Sequence, residues 1–142
     1  MTPDDAEAIL ALADEVSVGV ELGIDEKAFR SDWRARYAAE RVVERVFQAA
    51  TDLPEWMLTK YFGGDGFRAL RGMRNRLAHN YLGVDEEILW ESVSHDLPGV
   101  QSRLAADARE ARALIDALLG QYSVASEAWD RDHLGPVVDN NE

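Results

Sequence analysis

The chain has 142 residues, 46% hydrophobic and 30% charged, with no cysteine and a formal net charge of −12. That length builds one domain with a real core, and no apolar run approaches a membrane span, while acids stand near the N-terminus where an export signal would carry lysines, so a cytoplasmic protein without a membrane role is expected. The lack of cysteine excludes a disulfide framework and thiolate chemistry, and the acidity argues against broad nucleic-acid binding while leaving room for a local phosphate site.

Thr2-Pro3-Asp4-Asp5 reads as a helix start, with a capping hydroxyl, a proline suited to the first position and acids at the positive end of the dipole. Ile9, Ala13, Val16 and Val20 then recur at helical spacing, with Leu12 beside them, and Gly23 is expected to end the helix. Asp25 can cap a short segment, and Ser31 or Asp32 the next. Trp33, Tyr37, Val42, Val43, Val46, Phe47 and Ala50 predict a long amphipathic helix with that set facing inward. Its polar face, Arg34, Arg36, Glu40, Arg41, Glu44 and Arg45, reads as solvated.

Thr51 to Pro54 breaks the pattern, and a short helix carrying Trp56, Met57, Tyr61 and Phe62 follows, with Trp56 read as a packing residue. Gly63-Gly64-Asp65-Gly66 lacks a preceding strand and a P-loop lysine, so it is read as a turn and helix start. A helix from about Phe67 to Tyr81 comes next, stopped by Gly83, with Asp85 capping a segment that holds Ile88, Leu89 and Trp90. Asp96-Leu97-Pro98-Gly99 reads as a cap and turn. Val100, Leu104, Ala108, Ala111, Leu114, Ile115 and Leu118 predict a last long helix ending at Gly120. No period-two alternation and no internal repeat is seen. The expected fold is all-α, a bundle of four main helices plus short ones over residues 1–122, with an acidic tail, 123–142, as a loosely attached extension.

The stretch from Phe67 to Asp85 carries Arg68, Arg71, Arg74 and Arg76 and no acid before Asp85, a cationic island in an acidic chain. On a helical wheel Phe67, Leu70, Met73, Leu77 and Tyr81 form one apolar stripe. Arg76 falls outside it, as a solvent-facing residue. Arg74 falls near or inside it, where a guanidinium is costly unless it is ion-paired, snorkels to the edge, or opens to a cleft. Asn75 and His79 are four apart and can hydrogen-bond, which would orient the imidazole. These groups suit phosphoryl transfer without a metal: histidine moves a proton, and arginine holds the anionic phosphate. Arg71 is a candidate further phosphate contact. No metal-ligand pattern and no cofactor are read from the sequence. One protomer has no second histidine nearby, which a symmetric dimer would supply.

Arg74-Asn75-Arg76-Leu77-Ala78-His79-Asn80-Tyr81 follows the pattern arginine, four residues, histidine, one residue, tyrosine. With Leu82-Gly83-Val84-Asp85, Ile88-Leu89-Trp90 and Asp96-Leu97-Pro98, it resembles the HepT family, the toxin branch of the HEPN superfamily. The resemblance is specific from about Phe67 to Leu104, fainter from Asp4 to Leu53, and does not reach the tail. It implies a HEPN-type helical homodimer formed around the motif, acting as a metal-independent endoribonuclease toxin on RNA. It also implies an MntA-like nucleotidyltransferase antitoxin as partner. Arg74 and His79 would be catalytic, Asn75 would support the histidine, and Tyr81 would be the tyrosine that receives AMP. The alternative reading is a non-catalytic helical partner of a nucleotidyltransferase.

Overall fold

In a computed structural model of the chain, residues 1–78 and 85–134 are described. They form helices α1 (Pro3–Glu21), α2 (Glu26–Ser31), α3 (Trp33–Ala50), α4 (Glu55–Phe62), α5 (Gly66–Ala78) and α6 (Glu86–Glu91), then a π-helical turn (Ser92–Asp96) and α7 (Leu97–Leu134). No strand occurs among the described residues, so the all-α bundle expected from the helical periodicity is what the chain builds.

The helix starts are set locally. The Thr2 hydroxyl accepts from the Asp5 N–H at 3.1 Å, and the Asp5 carboxylate accepts from the Thr2 N–H at 3.3 Å, a reciprocal capping box. Asp25, Asp32 and Asp85 cap α2, α3 and α6 by accepting from the N–H groups of Ala28, Arg34 and Glu87. Each such cap is worth about 1 kcal/mol. Just past α1, Gly23 takes a positive φ of 54°, a conformation that disfavours side chains with a Cβ.

Packing then joins distant parts of the chain. Ala6, Ile9, Leu12 and Val16 of α1 are buried against Val42 and Val46 of α3 and Leu97, Val100 and Leu104 of α7. Burying each large aliphatic side chain is worth about 1.5–3 kcal/mol. Gly19 permits the close approach of these three helices: a Cβ there would sit 2.7 Å from a Val42 methyl and press into Leu97. A second cluster, Phe29, Ala39, Val43, Met73 and Leu89, fastens α2, α5 and α6 to α3. Arg30 reinforces it through a paired hydrogen bond to Glu87, at 2.6 and 3.0 Å, which ties α6 to α2.

Several expectations are corrected. Trp33 and Tyr37 do not face the core: they are 57% and 65% exposed, edge to face with each other at 5.5 Å on the outer side of α3. Trp56 is 62% exposed and not a packing residue, whereas Trp90 is half-buried against Phe29 with ring centroids 5.2 Å apart. Asp96 to Gly99 is not a turn. The Leu97 N–H bonds back five residues to the Ser92 carbonyl, and this wider register lets the helix pass Pro98, which has no N–H to give.

Nor does Gly120 end the last helix. Positive φ occurs, among the described glycines, at Gly23 and Gly63 alone, so Gly120 stays helical at a cost of about 0.5–1 kcal/mol relative to alanine. The 38 residues of α7 run for about 57 Å, against about 28 Å for the 19 residues of α1.

Candidate functional site

The site is built on α5. Met73 is buried and Phe67, Leu70 and Leu77 are half-buried, so one stripe of this helix packs inward as its spacing requires. Arg68, Arg71 and Arg76 are exposed, and Arg74 is half-buried at the edge of the stripe. What receives Arg74 is a ring. Its guanidinium carbon lies 5.0 Å from the centroid of Phe47 on α3. Phe47 is stacked on Phe67 at 5.6 Å with an interplanar angle of 8°, and Arg71 lies 5.1 Å from the Phe67 centroid. Two arginines thus flank two stacked rings, each held by cation–π attraction.

Among the described residues no carboxylate lies within ion-pair distance of Arg74 or Arg71. The buried ion pair that sequence allows for Arg74 is therefore absent from that part of the molecule. Arg74 Nη1 donates instead to the Asn75 side-chain oxygen at 3.2 Å. Asn75 was expected to support His79. His79 and Tyr81 lie outside the described residues, and so does any Asn75–His79 hydrogen bond.

Arg74 opens onto a groove of about 720 Å³ across the outer face of α3, walled by α1 and α5. Its lining includes Glu15, Arg41, Glu44 and Arg45, and it reaches Ala78, the last described residue before His79. The other arginines are neutralised: Arg45 is bidentate to Glu15 at 2.6 and 2.9 Å, and Arg41 reaches Glu44 at 3.1 Å. The hydrogen bond from Arg45 holds the Glu15 carboxyl below its usual range. Partial burial, with Glu44 close by, pushes Glu40 up. Arg74 is left as the groove's available cation, seated on Phe47 and with no acid within ion-pair distance among the described residues, although Asp14 and Asp52 also line the groove.

Other chemistry-bearing groups lie elsewhere. An apolar cavity of about 520 Å³ between α3, α5, α6 and α7 includes none of the sequence-predicted site residues. Tyr61 is fully buried and its hydroxyl donates to Asp107 at 2.6 Å, while Lys60 donates to the same oxygen at 2.7 Å. Burial, then the bond to Asp107, pushes the Tyr61 phenol well above its ordinary value, and the bonds from Lys60 and Tyr61 hold Asp107 low. This network clamps α4 to α7. The sequence reading found no metal-ligand grouping, yet Glu91, His95 and Asp96 bring potential ligand atoms within 4.8 Å of one another. All three are exposed. Their spacing of four and five converges because the π turn, unlike an α turn, aligns residues five apart.

A family model described as ribonuclease HepT-like matches residues 7–106. The chain belongs to the HepT-like ribonuclease family, within the HEPN superfamily. A Methanocaldococcus jannaschii protein provisionally named as an RNase is 29% identical over 93 residues, covering 66% of this chain and 78% of that protein. A second protein of that organism, also provisionally named as an RNase, is 28% identical over 93 residues, 66% of this chain and 75% of its own. A Thermococcus cleftensis protein named as a probable ribonuclease HepT is 28% identical over 75 residues, 53% of this chain and 67% of its own. No solved structure matches significantly. The family and the names of these relatives support a ribonuclease function for this HepT-like chain.

Phe47 is the site residue that sequence reasoning missed. It was assigned to the core stripe of α3, and nothing in its spacing marks it as the seat of an arginine 27 residues later. The available signal was on Arg74 itself, a cation placed on an apolar face.

Proposed function

We propose that this chain is a metal-independent endoribonuclease toxin that cuts RNA with Arg74 and His79 at the cleft of a symmetric homodimer. The observation that supports it most is Arg74: half-buried, seated on Phe47, open to a groove and without a carboxylate partner among the described residues. A guanidinium so held can grip a phosphodiester by two parallel N–H···O bonds. The His79 imidazole takes the proton of a ribose 2′-hydroxyl, the 2′-oxygen bonds to phosphorus, and the bond to the 5′-oxygen breaks. That oxygen accepts a proton from the His79 imidazolium of the second protomer. Arg74 stabilises the extra negative charge of the pentavalent phosphorane in between. The products are a 2′,3′-cyclic phosphate and a 5′-hydroxyl. Asn75 steadies Arg74 and His79, and Arg71, on the next turn of α5, adds a contact to the RNA backbone.

Tyr81 is the control point in this reading. A nucleotidyltransferase antitoxin of the MntA-like kind transfers AMP to it, which places bulk and negative charge beside Arg74 and His79 and repels RNA. The test is cleavage of RNA by the purified, unmodified dimer in EDTA, with end-group analysis for cyclic phosphate. Cleavage lost in Arg74→Ala and His79→Ala supports the reading. No cleavage by the wild-type dimer, together with no growth arrest on expression, overturns it. The net charge of −12 favours one second reading, a non-catalytic partner of the nucleotidyltransferase. That reading predicts a tight complex that survives His79→Ala and no phenotype from expression alone.

A further inference from the structure

The N-terminal end of α3 presents two exposed rings one turn apart. Trp33 and Tyr37 meet edge to face at 5.5 Å with an interplanar angle of 87°, and the Arg34 guanidinium lies 5.2 Å from the Trp33 centroid. Whichever ring supplies the edge, Tyr37 retains at least one face that neither Trp33 nor Arg34 covers. Trp33 braces the ring, so a flat group can lie on Tyr37 without first ordering it.

These rings extend the wall of the Arg74 groove. Tyr37, Arg41, Glu44 and Gln48 fall within about 60° of one another around α3. The last three line the groove. Along the helix axis Tyr37 stands about 6 Å beyond Arg41 and about 15 Å from Phe47, the seat of Arg74. A strand with one phosphate on Arg74 can therefore lay a base on Tyr37 a few nucleotides away.

The charges around the rings select the occupant. From Trp33 through Arg41 the helix carries Arg34, Arg36 and Arg41 against Glu40 alone. Arg34 and Arg41 are mostly exposed, so their contacts with Asp32 and Glu44 are weak surface pairs in which a phosphate can replace the carboxylate. A second copy docked here about a two-fold axis would instead bring these arginines onto each other. The acidity of the chain points the same way. At −12, with Asp14 and Asp52 on the groove wall, phosphate attraction alone is a poor source of affinity. Base stacking supplies affinity without charge, and only a strand with unpaired bases offers a free base face.

We infer that the substrate class is single-stranded RNA, and that Tyr37, braced by Trp33, stacks a base of the strand whose phosphate Arg74 holds. Tyr37 is thus a positioning residue that selects unpaired RNA over duplex. The inference rests on the ribonuclease reading of the Arg74 groove.

Equilibrium binding to the full chain tests it, with a fluorescent oligoadenylate 2′-O-methylated so that it cannot be cut, alone or paired with oligouridylate. Wild type should prefer the single strand. Tyr37→Ala should weaken single-strand binding by about 5- to 150-fold, without changing its salt dependence or binding to the duplex. Tyr37→Trp should restore it. Abasic sites introduced one at a time should reveal a position at which Tyr37→Ala costs nothing further, because the stacked base is already gone. Equal affinity of Tyr37→Ala and wild type, or an equal loss on the duplex, overturns the proposal. So does a fall in solution mass in Tyr37→Ala, which would assign the ring to a protein contact. Cleavage of unmodified RNA, followed in parallel, separates the two readings. Tyr37-independent binding by a chain that cuts RNA overturns the stacking alone, and Tyr37-dependent binding without cleavage overturns the nuclease alone. A wild type that neither binds nor cuts overturns both.

Discussion

Replacing Arg74 by methionine separates a functional arginine from a structural one. The guanidinium has no carboxylate partner among the described residues, so its folded-state attraction there is the contact with the Phe47 ring and the bond to Asn75. A cation–π contact at a half-buried site is worth about 1 kcal/mol. Methionine returns a sulfur–aromatic contact of about 0.3–1.5 kcal/mol and removes the cost of partly desolvating a charge. The expected stability change is thus within about 1 kcal/mol of zero, or about 4 °C in Tm for a domain of this size. Breaking a buried ion pair would instead cost about 3–5 kcal/mol. RNA cleavage should fall by about 10²–10³-fold, the loss typical of removing one donor to a developing oxyanion. Urea denaturation followed by circular dichroism, beside cleavage assays on the same preparation, reads both quantities. A destabilisation above about 3 kcal/mol, or undiminished cleavage, would refute the assignment of Arg74 as a phosphate-binding rather than a structural residue.

Phe47→Leu keeps the core apolar but removes the ring under Arg74. It should destabilise by about 0.5–1.5 kcal/mol through the lost stack on Phe67, and lower cleavage at saturating RNA as Arg74 loses its seat. Gly19→Ala should destabilise by about 1–3 kcal/mol in thermal melts, because overpacking at the Val42 and Leu97 contact outweighs the gain in helix propensity. Asp107 has a lowered folded pKa, so its contribution is present above the unfolded value of about 3.9 and is lost as pH falls through the folded one; Asp107→Asn should flatten the acid limb of the stability profile. Tyr61 has a raised folded pKa, so its contribution is present below about 10 and is lost as pH climbs above that. Ultraviolet titration should show one tyrosine ionising only with unfolding, a signal that Tyr61→Phe removes.

Four helix starts, those of α1, α2, α3 and α6, were legible because each is a matter of three or four neighbouring residues, whereas the cap expected at Asp96 gives way to the π turn. Thr2, Asp25, Asp32 and Asp85 cap where their side chains reach the next free N–H groups, whatever packs on top. Exposure was less legible. Trp33, Tyr37 and Trp56 are apolar residues at helical spacing, and periodicity alone does not say how wide the covered face of α3 or α4 is. That width depends on which helices pack there, and α1, α5 and α7 cover only the other side. Pro98 and Gly120 are strong local stop signals that the tertiary structure overrides, the first by a π turn and the second by ordinary helical geometry at a small local cost.

By itself, then, the sequence determined the class of fold, the starts of α1, α2, α3 and α6 and the family, since caps, apolar spacing and the Arg74–Tyr81 motif are local patterns. It also marked Arg74 as anomalous, because a wheel shows a cation on an apolar stripe. Only the tertiary structure decided what makes that position tolerable: Phe47, brought from α3 beneath the guanidinium, and a groove whose other arginines are occupied by Glu15 and Glu44. Arg41 and Glu44 are neighbours on one turn of α3, but the Phe47–Arg74 and Glu15–Arg45 contacts join residues far apart in the chain, so they depend on how α1, α3 and α5 cross, which no local pattern encodes.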